Sequence, residues 1–216
     1  MYEIGKAAIK FMSEIFKIVL TGPESSGKTQ MAAALAAALG VAYVPEFARH
    51  YLSHLGRPYT QADLKNIGRG QRAWEDWYAA AGLSAQMEKN EQIPSENSLA
   101  NNLPEAFKKR CLVLDTDWTV LHIWENYGYP ETTVREWQQG YGATRLGDLY
   151  LLCAPDFAWE PDPLREHPEA REELFALYEA LLQSQNATFL VLRGTLGERL
   201  QTALEVLGGL TSFFEV

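Results

Sequence analysis

Phe16-Lys-Ile-Val-Leu-Thr21 runs directly into Gly22-Pro-Glu-Ser-Ser-Gly27-Lys28-Thr29, and that loop into Gln30-Met-Ala-Ala-Ala-Leu-Ala-Ala-Ala-Leu39. The first run is apolar and partly β-branched, as a buried strand is. The last is rich in the strongest helix formers. A loop framed by two glycines between strand and helix is the setting that the Walker A pattern requires. Gly22 and Gly27 allow backbone conformations and close approaches that a Cβ blocks, so that successive N–H groups can face a phosphate. The helix N-terminus adds its own positive field. Lys28 then supplies a point charge for the β- and γ-phosphates, and the Thr29 hydroxyl a place in a Mg²⁺ shell. Pro23, Glu24, Ser25 and Ser26 complete the expected nucleotide cradle, with ATP and Mg²⁺ as the ligands. The alternative, a plain glycine turn before a helix, leaves Lys28-Thr29 at that spacing unexplained.

Outward from this loop, apolar runs at 16–21, 41–44, 111–115, 149–153 and 188–192 alternate with helical patterns at 28–39, 60–81, 117–127, 169–184 and 196–207. Strands separated by helices predict an α/β fold, a five-stranded parallel sheet covered on both faces. Thr60 with Asp63 and Thr195 with Glu198 have capping-box spacing. Gly40 and Gly208 stand where helices commonly end. Residues 84–102 are polar and aperiodic and read as a surface insertion. Residues 1–15 read as an N-terminal extension and 16–216 as one domain; there is no internal repeat.

Nineteen basic and 28 acidic side chains among 216 residues give a net charge of −9, which opposes sequence-independent binding to nucleic acid. No apolar run approaches the roughly 20 residues needed to span a bilayer, and the lysines and glutamates before Lys17 interrupt any export signal. A cytoplasmic protein is expected. Cys111 and Cys153 each border an apolar run and read as core residues of a reducing compartment. His50, His54, His122 and His167 lack zinc spacing.

Asp115 ends the run Cys111-Leu-Val-Leu, at the sheet edge where a carboxylate can face Mg²⁺ and phosphates. Asp117 is either an acceptor-side acid or a helix N-cap. Glu46, in Val44-Pro-Glu-Phe-Ala-Arg49, is either an acceptor-side acid or a first-turn acid of a helix. Ala154-Pro-Asp-Phe-Ala-Trp-Glu-Pro-Asp-Pro-Leu-Arg165 is too long for a tight turn and reads, over about 155–171, as a lid. Arg165 and Arg171 are its candidate phosphate-closing cations, with a solvated helix pair as the alternative. Trp118, Trp124, Tyr127 and Tyr141 are candidates to stack on a ring.

Together, Gly-Pro-Glu-Ser-Ser-Gly-Lys-Thr, Val-Pro-Glu-Phe-Ala-Arg, Leu-Asp-Thr-Asp and Pro-Asp-Phe-Ala-Trp-Glu-Pro-Asp-Pro-Leu-Arg resemble the nicotinamide riboside kinase family, found as the C-terminal kinase domain of the bacterial bifunctional NAD-biosynthesis regulator. The resemblance covers about residues 18–207. It implies a nucleoside-kinase-like P-loop fold with a lid, and phosphorylation of a ribose 5′-hydroxyl to give nicotinamide mononucleotide. It also implies Lys28, Glu46, Asp117, Arg165 and Arg171 as catalytic candidates, Thr29 and Asp115 at the metal, and Gly194 and Thr195, beside Arg193, at the adenine. The insertion at 84–102 departs from that family. The adenylyltransferase and helix-turn-helix domains of the bifunctional relative are not expected before the P-loop. Two other readings stay open: a kinase for another nucleoside, nucleotide or metabolite, and a P-loop ATPase or nucleotide-sensing switch.

Overall fold

The structure, a computed structural model, describes residues 15–80, 98–128, 147–162 and 164–211. Five strands, β1 (Phe16–Thr21), β2 (Tyr43–Val44), β3 (Cys111–Asp115), β4 (Leu149–Cys153) and β5 (Phe189–Leu192), form one parallel sheet in the order β2-β3-β1-β4-β5. The expected five-stranded α/β architecture is therefore the observed one. Leu20 lies beside Asp115, and Thr21 beside Leu152. The carboxyl ends of β1, β3 and β4 thus meet along one edge, where parallel α/β sheets place their ligands.

Side chains alternate across the sheet, and both faces are dry. Ile18, Leu20, Val113, Leu149 and Leu151 pack under α1 (Lys28–Leu39) and α8 (Leu196–Thr211). Val19, Leu112, Leu114, Tyr150 and Leu152 pack under α6 (Trp118–Gly128) and α7 (Arg171–Ser184). Burying a Leu or Val side chain contributes about 1.5–3 kcal/mol each. The strands are therefore held by their neighbours on two sides rather than by their short ladders. Lys17 on β1 reaches Glu75 of α3 (Gln61–Ala80) at 2.7 Å, which offsets the burial that raises the Glu75 pKa. Burial also pushes the Cys153 thiol up to about 11, and the Cys111 thiol higher still, so neither is a thiolate near neutral pH.

Boundaries differ from the sequence pattern where capping or packing takes over. Gly40 does end α1 in a left-handed conformation, and the Val41 N–H returns to the Ala36 carbonyl, so β2 begins only at Tyr43. Gly208 does not end α8, because Leu207 and Thr211 continue its buried face to the last turn. Of the expected insertion, residues 84–97 lie outside the described residues. Ser98–Asn101 forms a short helix, α4, and its Ala100 joins the core. A second short helix, α5 (Glu105–Lys108), buries Phe107. Residues 1–14 and Tyr141 also lie outside the described residues. Among the described residues, no helix is long and apolar enough to cross a membrane.

One further helix, α2 (Phe47–Ser53), carries the acid motif. It is locked to the start of α3 by Asp63, which accepts hydrogen bonds from both Arg57 nitrogens, the Tyr51 hydroxyl, and the Thr60 amide and hydroxyl. Those bonds, Arg57 first, hold its carboxyl well below the usual carboxylate range. Glu46 and Arg49 therefore stand on a fixed corner.

Candidate active site

The chain leaves β1 into a tight curl in which Gly22 has φ 132°, Ser25 φ 53° and Gly27 φ 82°. The positive φ of Gly22 suits only glycine, and a Cβ there would lie 2.6 Å from the Cys153 carbonyl oxygen. Gly27 also has a positive φ, and its Cβ would lie 2.9 Å from the Phe157 ring of the lid, a side chain that can give where the Cys153 backbone cannot. The Ser26 hydroxyl is buried without a partner among the described residues, and Lys28 Nζ donates to the Gly22 and Pro23 carbonyls at 2.9 and 2.8 Å. A curl that a Cβ would fill, an orphaned hydroxyl and a lysine held by two neutral carbonyls together fit a phosphate group. Gly22→Ala is expected to lower stability by about 1–3 kcal/mol, from backbone strain, and to weaken binding of an ATP analogue. Urea unfolding and calorimetry measure both; unchanged values in each would contradict the cradle geometry.

Around this curl lies a cleft of about 400 Å³, lined by Glu24 to Thr29, Glu46, Arg49, Trp124, Glu160, Arg165 and others. Asp115 is 3% exposed behind it. Burial raises its pKa, while the neighbouring Thr29 hydroxyl and the Lys28 and Arg49 charges favour the ionised form. Thr29 and Asp115 therefore offer two oxygens next to the cradle, a donor set that suits Mg²⁺ completed by phosphate oxygens and water. Glu46 is the N-terminal flanking residue of α2 yet makes no capping hydrogen bond. Burial raises its pKa, Lys28 opposes the rise, and Asp115 adds to it.

Asp117 is not brought to the cleft. Thr116 between the two acids has φ 89°, so the chain reverses and sends them to different surroundings. Asp117 is 4% exposed; one carboxylate oxygen accepts the Thr119 amide at 2.9 Å and the Thr119 hydroxyl, the other the Tyr150 hydroxyl at 2.8 Å. With both oxygens engaged it is the N-cap of α6, the helix that carries Val120 and Trp124 into the cleft.

The lid folds over the curl and is clasped by it. Glu24 accepts the Glu166 and His167 amides at 2.9 and 3.1 Å, and the Ser25 hydroxyl accepts the Glu160 amide at 3.1 Å. Arg165 lines the cleft, donating to the Glu160 carbonyl and to Ser25 Oγ. Arg171 sits elsewhere: its guanidinium donates to the Pro155 and Phe157 carbonyls at the lid root, outside the cleft lining. Gly194 and Thr195 stand on the other side of that root. The Gly194 amide is held by Asp156 at 2.7 Å, and Thr195 forms the expected capping box with Glu198 at 2.8 Å.

A family model described as an AAA domain matches residues 17–199, from the first strand to the last helix. The chain belongs to this AAA domain family. A search of curated proteins returns no match. Among solved structures, this AAA domain is similar to a NadR protein in complex with NR, at 19% identity and a TM-score of 0.70 over 95% of this chain and 54% of that one. It is similar also to NadR in complex with NAD and AMP-PNP, at 16% identity and a TM-score of 0.65 over 94% and 52% of the two chains. It therefore spans about half the length of those NadR chains. A thymidylate kinase from Ehrlichia chaffeensis shares the fold at 12% identity and a TM-score of 0.53, with 90% of this chain and 98% of that one covered.

Two features of the AAA domain's site were not anticipated. Arg199, 1% exposed, donates to the Ser26, Ala154 and Gly194 carbonyls at 2.7–2.9 Å and lies 4.4 Å from the Phe157 ring, tying curl, lid root and α8 together. Its signal in the sequence is its i, i+4, i+8 spacing with Ala203 and Leu207, which puts an arginine on the buried face of α8. The second is a cavity of about 300 Å³ that shares Glu24, Leu52, Trp124 and Leu164 with the cleft and adds Tyr59, Tyr127, Glu166 and His167. Tyr59 and Trp124 have ring centroids 6.3 Å apart, and the Tyr59 hydroxyl donates to Glu166 at 3.0 Å.

Proposed function

We propose that this chain is an ATP-dependent kinase that phosphorylates the ribose 5′-hydroxyl of nicotinamide riboside, giving nicotinamide mononucleotide. The observation that carries this reading is the continuity of the P-loop cleft with the second cavity, whose lining among the described residues combines aromatic rings with the Glu24 and Glu166 carboxylates and no lysine or arginine. A flat, positively charged pyridinium ring gains both from aromatic faces and from carboxylates. An acceptor already bearing phosphate would meet carboxylates at the same place. The fold likeness to NadR structures holding AMP-PNP or NR supports the same pairing of nucleotide and nucleoside.

In this reading Lys28 and the backbone amides of residues 25–29 hold the phosphates, and Arg165 closes over them from the lid. Arg171 and Arg199 fix the lid root, and Gly194 and Thr195 border the adenine. Thr29 and Asp115 hold Mg²⁺, which when bound neutralises phosphate charge. The acceptor oxygen bonds to the γ-phosphorus as the bond from that phosphorus to the departing ADP oxygen breaks, and the hydroxyl proton passes to the Glu46 carboxylate. Asp117 holds α6, and with it Trp124, in place.

The test is a competition between nicotinamide riboside and uridine, which differ in ring charge. A preference of at least about tenfold in kcat/KM is expected, or roughly 1.4 kcal/mol of transition-state discrimination. A part of it that survives added salt would come from stacking on the aromatic rings, whereas the part from the solvent-facing carboxylates should fade. Trp124→Ala should erode the preference more than it lowers uridine turnover. Equal or better use of uridine overturns the nicotinamide assignment.

A further inference from the structure

Among the described residues, the cleft lining holds three cations, Lys28, Arg49 and Arg165, and three carboxylates, Glu24, Glu46 and Glu160. Lys28 and Arg165 are held by neutral oxygens, the Gly22, Pro23 and Glu160 carbonyls and the Ser25 hydroxyl. A phosphate displaces such partners readily, because charge-assisted hydrogen bonds are roughly twice as strong. Arg49 differs. Its Nη1 donates at 2.9 Å to Asp162 Oδ2, a carboxylate on the lid, while Asp162 Oδ1 accepts the Leu164 amide at 2.9 Å. Asp162 is thus fixed by its own turn, and Arg49 is the longer and more rotatable member of the pair. The arginine side chain is 50% exposed, so the pair is weakly held and exchangeable.

Position and charge both direct Arg49 inward. It lies one helical turn beyond Glu46 on α2, and its charge acts on both Glu46 and Asp115, the two carboxylates that flank the cradle. While Arg49 is paired with Asp162, the described lining offers two unpaired cations, Lys28 and Arg165, against three carboxylates, a poor field for a triphosphate. We infer that Arg49 is a nucleotide-phosphate ligand of this cleft, and that Asp162 is a lid carboxylate that competes with the phosphates for it. Nucleotide entry then exchanges one partner of Arg49 for another, and a planar guanidinium can grip phosphate oxygens in pairs where it holds Asp162 by one nitrogen. The inference rests on the kinase reading only so far as that reading places ATP in the cleft.

Calorimetric titration of the whole chain with Mg²⁺ and a non-hydrolysable ATP analogue tests it without any acceptor. Arg49→Ala is expected to weaken binding about tenfold, and Arg49→Lys less. Asp162→Asn is expected to tighten binding by about threefold, and to have no such effect when Arg49 is already alanine. Arg49→Ala within twofold of wild type would overturn the inference. So would an Asp162→Asn variant that binds more weakly than wild type, or one that tightens binding equally in both backgrounds. Thermal melting of each variant separates loss of binding from loss of fold. If the wild-type chain binds the analogue and shows these shifts but does not phosphorylate nicotinamide riboside, the acceptor assignment fails and the Arg49–Asp162 exchange stands.

Discussion

Lys28→Ala is expected to lower kcat by about 10²–10³-fold while leaving the fold intact. Lys28 contributes little to holding the curl together: its two bonds run to carbonyls of Gly22 and Pro23, the groups that a phosphate would replace. The curl is held instead by Arg199 through the Ser26 carbonyl, by the sheet edge behind Gly22 and by the lid clasp at Glu24. Removing the ammonium therefore removes charge from the phosphate site and little else. Circular dichroism and single-turnover kinetics separate the two effects. A variant with native spectra and nearly full turnover would show that Lys28 does not meet the transferring phosphoryl group. Lys28→Arg should rescue poorly, because a planar fork does not replace a compact point charge in a narrow loop.

Glu46→Gln is expected to lower kcat by about 10²–10⁴-fold, the usual range for loss of a positioned general base. The pH dependence gives this assignment its sign. Burial raises the Glu46 pKa above the ordinary carboxylate value of about 4.3, Lys28 opposes the rise, and Asp115 reinforces it. The base acts when ionised, so kcat/KM should be high above the raised pKa and fall as pH drops through it. Glu46→Gln should flatten that acid limb without weakening the binding of the ATP analogue, since it removes a carboxylate from the phosphate side of the cleft. A variant that keeps the wild-type acid limb, or activity within about threefold of wild type, would return Glu46 to the role of an ordinary first-turn acid of α2.

The parts of this molecule that were legible in its sequence are those governed by local pattern. Strands β1, β3 and β4 begin and end where the apolar runs do, because each is buried on both faces and meets a polar or glycine residue at one end at least, Gly22 after β1, Arg110 and Thr116 around β3, and Asp148 before β4. The glycine curl and both capping boxes were legible for the same reason, since their residue types are set by backbone geometry within a few positions. The two acids of Leu114-Asp-Thr-Asp117 were not separable. Their difference comes from the left-handed turn at Thr116, a β-branched residue that gives no sign of adopting one, and from Tyr150, 33 positions further on. Arg171 also fitted a phosphate cation by composition alone. Only the fold shows its guanidinium satisfied by carbonyls of the lid root. Arg199, the Arg49–Asp162 pair and the aromatic cavity share this character, since each is made by residues far apart in the chain that meet above the sheet edge.

The most direct test of the kinase assignment is an acceptor-dependent phosphate balance. The chain is incubated with ATP, Mg²⁺ and nicotinamide riboside, the nucleoside is followed by mass and ADP is measured in parallel. Nicotinamide riboside is expected to gain the mass of one phosphate with one ADP appearing for each, and ADP release to stop nearly completely when the nucleoside is left out. ADP release at the same rate with or without the nucleoside, and no phosphorylated product, would contradict the kinase assignment.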